Sequence, residues 1–98
     1  MSFKDDWVQA RRVQMLRLLA RMGEANQDVL CTTLEHTGFA RDPRDAFRSD
    51  IDHLLQHGCI TEEWFDDIRV LRLTERGNMA AQGRITVPGV ECSRWRAP

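Results

Sequence analysis

The patterning of this 98-residue chain predicts a mainly α-helical fold with one small β-hairpin, and three observations support it. Apolar residues recur at helical spacing up to Gly58, in blocks broken at Gly23 and Gly38. An apolar, turn, apolar passage then runs from Cys59 to Leu73. Finally, Leu73-Thr74-Glu75-Arg76-Gly77 opens one more short helix. Helix, helix, turn, helix, hairpin, helix is the order of a winged helix-turn-helix.

The first helix is expected from about Asp6 to Met22, where Val8, Met15, Leu16, Leu19 and Met22 share a face and Gly23 ends it. Arg11, Arg12, Arg17 and Arg21 fall largely between those positions, which predicts a charged, solvated outer side that can also contact phosphates. Asn26 can cap a second helix over Gln27 to Thr37, with Leu30 and Leu34 inward and Gly38 as the left-handed terminator. Phe39 then occupies the position that packs back on Leu34 in a Schellman ending. Asp42 as cap, Pro43 in the first turn and Asp45 near the helix start mark a third helix ending at Gly58. Phe47, Ile51, Leu54 and Leu55 form its inward stripe.

Cys59-Ile60 to Trp64-Phe65 and Ile68 to Leu73 read as two strands joined at Asp66-Asp67. Strict alternation slips between Val70 and Leu71, so either a bulge lies there or both sheet faces are partly covered. Thr74 can cap a last helix to about Gln82, whose Gly77, Ala80 and Ala81 suit close packing, and Gly83 closes it. Val87-Pro88-Gly89-Val90 predicts a type II turn. The expectation is therefore one winged-helix domain over residues 1–98, its core at about 6–82 and its tail, 83–98, extended or partly mobile around Arg94-Trp95-Arg96.

Composition narrows the function classes. With 42% hydrophobic and 30% charged residues the chain folds, and a formal net charge of -1 lacks the basic excess of a protein that grips DNA mainly by neutralising phosphates. The charge is uneven: Lys4, Arg11, Arg12, Arg17 and Arg21 against Asp5 and Asp6 give the first 22 residues +3, leaving -4 for the rest. Cys31, Cys59 and Cys92 form no Cys-x-x-Cys pair, which suggests reduced thiols in a cytoplasm. The acidic start and the lack of a long apolar run predict neither signal peptide nor membrane span.

Three further readings carry chemistry. On the third helix Arg44, Arg48 and Ser49 are placed to meet base edges of double-stranded DNA, with Arg69 and Arg72 as wing contacts. Asp45, Asp50 and Asp52 oppose that, and so do Glu62, Glu63, Asp66 and Asp67, which with Trp64 form an alternative surface for a protein partner. His53 and His57 stand four apart, metal-ligand spacing if Cys59 or Asp50 joined them, but two histidines near a helix C-terminus suit the dipole without metal. No metal or cofactor is expected, and no catalytic constellation is present, so the chain is expected not to be an enzyme. Trp7 and the Val87 to Trp95 tail offer apolar surface for a homodimer.

Gln14-Met15-Leu16-Arg17-Leu18-Leu19-Ala20, Leu71-Arg72-Leu73-Thr74-Glu75-Arg76-Gly77 and Val87-Pro88-Gly89-Val90 resemble a small winged-helix family of Mu-like prophages. The resemblance implies a phage or prophage protein of winged-helix type, sometimes grouped with arsenic-repressor-like regulators, and no settled activity; the fold order and local arginines point to a DNA-binding transcriptional regulator, and the acidic wing to the alternative, a phage adaptor that binds protein. The paired recognition-helix cysteines of the arsenic-repressor group's metal sensors are missing here, so metal sensing is not implied.

Overall fold

The computed structural model describes residues 3–90, with the side chains of Phe3 and Lys4 left out of the description. The elements are α1 (Phe3–Met22), β1 (Glu24–Asn26), α2 (Gln27–Glu35), α3 (Arg44–Gln56), β2 (Ile60–Phe65), β3 (Ile68–Leu73) and α4 (Glu75–Ala81). Helices and a small antiparallel sheet in this order make a winged-helix-like fold.

Local signals set most boundaries. The Asn26 side chain accepts from the Val29 amide at 2.9 Å and starts α2. Its end uses Gly38 at a φ of 108°, with the Phe39 amide bonded back to the Leu34 carbonyl at 3.2 Å. The Phe39 ring meets Trp7 at 5.0 Å between centroids. At the end of α3, Gly58 and Cys59 bond to the carbonyls of Leu55 and Leu54, and the Thr74 hydroxyl accepts from the Gly77 amide at 3.0 Å to start α4. α1 begins three residues before its expected start, and α2 stops two residues before its expected end, within the one or two residues by which helix limits fray.

Two expectations are corrected and one open alternative is decided. Asp42 does not cap α3: Pro43 occupies the cap position without a side-chain bond, because the Asp42 carboxylate accepts from Trp7 and Arg11 instead. The hairpin has no bulge, since β2 and β3 pair continuously from Ile60↔Leu73 to Phe65↔Ile68. The broken alternation has the other cause: Leu71 is fully buried on one face while Val70 is half-buried on the other. The sheet also gains β1 as a third strand, in order β1-β3-β2, with Ala25 opposite Leu71.

The core joins Val13, Met15, Leu16, Leu18 and Leu19 of α1 to Leu30, Leu34, Phe47, Ile51, Leu54 and Leu71. Met22, expected inside, is 37% exposed. Val87 and Val90 close the core at 0% and 1% exposure, around a turn in which the Val90 amide bonds to the Val87 carbonyl and Gly89 has a φ of 76°. They are thus not available as dimer surface, and the rest of the expected dimer tail, with Trp95 and Cys92, lies outside the described residues.

Candidate functional site: an acidic face of α2, α3 and the wing

Arg11 and Arg12 do not form a solvated face. Arg11 is 6% exposed and reaches two carboxylates, Asp50 through Nε and Nη2 and Asp42 through Nη1 at 2.9 Å. Arg12 donates to Asp50 at 2.9 Å and to the Gly89 carbonyl at 3.1 Å. Burial works against the Arg11 charge, but the hydrogen bonds and field of Asp50 and Asp42 outweigh it and raise its pKa. Asp50 is 1% exposed, so it is no metal ligand for His53 and His57. Those rings lie 4.3 Å apart, tilted by 36°, and His53 Nε2 lies 2.7 Å from the Pro88 carbonyl. Among the described residues no group of three or more His, Cys, Asp or Glu is placed to hold a metal.

These buried pairs change what α3 shows to solvent. With Asp42 and Asp50 neutralised, the stretch from Arg41 to Gln56 presents Arg41, Arg44 and Arg48 against Asp45 and Asp52, a net of +1. Of the three DNA-reading candidates on α3, both arginines already have a carboxylate neighbour. Arg44 bonds to Glu35 at 3.3 Å, which raises its pKa, and stands 3.8 Å from Asp28. Arg48 pairs with Asp45 at 3.0 Å, one turn away, and Ser49 is exposed beside it.

The wing arginines are spent more completely. Arg69 has a side chain only 13% exposed and clips three elements together, bonding to Gln27 of α2 at 3.1 Å, Asp52 of α3 at 3.2 Å and Glu62 of β2 at 3.0 Å. Its guanidinium also lies over the Trp64 ring at 5.6 Å, and the Trp64 indole donates to the same Glu62 oxygen at 2.8 Å. Arg72 points to the opposite sheet face and pairs with Glu24 and Glu63, hydrogen bonds that raise its pKa. Asp66 and Asp67 at the turn have no ion-pair partner among the described residues. Asp66 takes a φ of 58°, as the first residue of a tight two-residue hairpin turn does.

From α2 through the wing, leaving out the Arg72–Glu63 pair on the opposite sheet face, seven exposed or half-exposed carboxylates (Asp28, Glu35, Asp45, Asp52, Glu62, Asp66, Asp67) stand against Arg41, Arg44, Arg48 and Arg69, a net of -3. Sequence spacing could not show that Gln27 and Asp52 belong with the wing, because their link is Arg69, 42 residues from Gln27.

The chain is 38% identical over 88 residues to Uncharacterized protein gp26 of Escherichia phage Mu, a match covering 89% of this chain and 91% of that protein. This chain belongs to the gp26 family of Mu-like phages. No protein-family model matches it, and no solved structure does. The gp26 name carries no activity, so function has to be argued from the face just described. Among the described residues no helix is long and apolar enough to cross a membrane.

Proposed function

We propose that this gp26-family chain is a non-enzymatic, cytoplasmic phage adaptor, a winged-helix module of the arsenic-repressor-like superfamily that binds a protein partner through α2, α3 and the wing. The observation that carries this is the net of -3 on the face with which a winged helix would approach a duplex. Duplex affinity comes largely from releasing counterions as arginines and lysines neutralise phosphates. Here Arg44, Arg48, Arg69 and Arg72 are already beside carboxylates, and the unpaired charges at the wing turn are Asp66 and Asp67. Exposed Trp64, Phe65 and Ile68 give the same wing apolar area of the kind protein interfaces use.

One observation favours a second reading, a DNA-binding regulator: the net of +1 on the exposed side of α3, with Arg44, Arg48 and Ser49 outward. Fluorescence anisotropy of a labelled mixed-sequence duplex, at low and at physiological salt, separates the two. The adaptor reading expects no salt-sensitive binding at micromolar protein. Salt-sensitive binding, weakened by roughly 1 to 3 kcal/mol in Arg48→Ala, would make the regulator the better account.

A further inference from the structure

Where the wing meets the start of α2, a cleft of about 150 Å³ is lined by Asn26, Gln27, Asp28, Trp64, Asp67, Ile68 and Arg69. An apolar cavity of about that size holds a benzene-sized group, so this one has room for a single side chain. Trp64 is 56% exposed and Ile68 51%, although Arg69 already lies over the indole ring. The Asp28 side chain is 90% exposed, with Arg44 no closer than 3.8 Å. No arginine or lysine among the described residues pairs with Asp67. Arg69 itself is matched by Asp52 and Glu62, so its charge does not offset Asp28 and Asp67.

We infer that this cleft receives the side chain of a lysine or arginine presented by a protein partner. The fit is chemical. A long basic side chain has an apolar stem and a charged head, and buries the first while keeping the second among polar groups. The exposed Trp64 ring is the apolar surface for the stem, and Asp28 and Asp67, both in the lining, supply carboxylates for the head. An acidic or purely apolar side chain would satisfy only half of that lining. This inference rests on the adaptor reading and names the chemistry of its partner.

The test uses the full chain, ¹⁵N-labelled, titrated with N-acetyl-lysine methylamide and in parallel with its Nε-acetylated form. The expected result is a saturable shift of the Trp64 indole N–H together with the amides of residues 26–28 and 67–69, and no such shift from the acetylated form. Asp28→Asn with Asp67→Asn should weaken the lysine titration roughly three- to tenfold, as expected for losing two exposed ion pairs. Both changes lie on the surface, and an unchanged spectrum elsewhere shows that the variant is folded. The inference is overturned by shifts that spread evenly over Asp45, Glu63 and Asp66, since that is plain counterion condensation, or by equal shifts from both ligands. Concentration-dependent shifts of the cleft signals without ligand also overturn it, in favour of a second copy whose exposed Arg17 or Arg21 occupies the site. Cleft shifts together with salt-sensitive duplex binding would leave the cleft standing and remove the adaptor reading. No cleft shift and no duplex binding would do the reverse.

Discussion

Asp50→Asn tests the claim that α3 is held in place by buried charge. The substitution keeps the shape of the side chain but removes the carboxylate that accepts from Arg11 and Arg12, at a site 1% exposed to solvent. Breaking a buried pair from one side costs about 3 to 5 kcal/mol, because the surviving charge cannot return to water. Arg11 keeps Asp42 at 2.9 Å and Arg12 keeps the Gly89 carbonyl, which places the expected loss near the lower end, about 3 kcal/mol. For a chain of this length that corresponds to a fall in Tm of roughly 12 to 24 °C. Urea unfolding at pH 7, followed by circular dichroism, measures it, with the slope against urea expected to stay constant while the midpoint drops. Replacing both partners, Arg11→Met with Asp50→Leu, should recover only part of the loss, since it removes the buried Arg11 charge but leaves Arg12 without Asp50 and Asp42 without Arg11. A loss below about 0.5 kcal/mol in Asp50→Asn, the ordinary range for surface changes, would refute the reasoning.

Gly77→Ala is expected to cost more than about 2 kcal/mol, measured in the same urea experiment, because an added Cβ would sit 2.0 Å from the Cys59 carbonyl oxygen, a backbone atom with no room to retreat. The His57 pKa is lowered by desolvation first and then by His53, Arg76 and Arg12. The unfolded chain therefore binds the proton more readily, and stability should fall as pH drops through the ordinary histidine value of about 6.5. His57→Gln should flatten that part of the stability profile between pH 7.5 and 5.5, and an unchanged slope would show that His57 does not cause it. Burial raises the thiol pKa values of Cys31 and Cys59, so in a Cys92→Ser background both should react with a thiol reagent far more slowly in the native protein than in urea.

What was legible in the sequence was whatever a short stretch encodes by itself. Asn26, Gly38, Gly58 and Thr74 act within four or five residues of their own position, and each marks a helix limit as its local chemistry requires. The two wing strands and their turn were readable for the same reason. β1 was not, because three residues hold no period and its partner, Arg72 opposite Glu24, lies 48 residues on. Asp42 misled because two chemistries compete for one carboxylate, and a buried guanidinium 31 residues away outweighs a local cap. The site suffered most from this blindness to distance: Arg11 and Arg12 look like surface charges on a helical wheel until Asp50, 38 and 39 residues later, is seen to lie beneath them.

That misplacement decides how the fold relates to function. Counted along the chain, α3 looks acidic and α1 basic; once Asp42 and Asp50 are paired with Arg11 and Arg12, α3 becomes slightly basic outside, and the obstacle to DNA shifts to the wing. If charge rather than shape excludes a duplex, a few substitutions at exposed positions should admit one. Asp66→Asn keeps a residue that tolerates the φ of 58°, and Asp45→Lys and Asp67→Lys reverse two surface carboxylates. Together they move the face from -3 to +2 without touching the core. Each lysine that meets a phosphate should add about 0.9 to the slope of log affinity against log salt. Anisotropy of the triple variant should then show micromolar, salt-sensitive binding that the adaptor reading does not expect of the parent chain. If neither the parent nor the folded variant binds DNA, charge alone does not account for the adaptor reading. The surface would then have the wrong shape for a groove, and the case for a protein partner would rest on the cleft at Trp64 instead of on the charge around it.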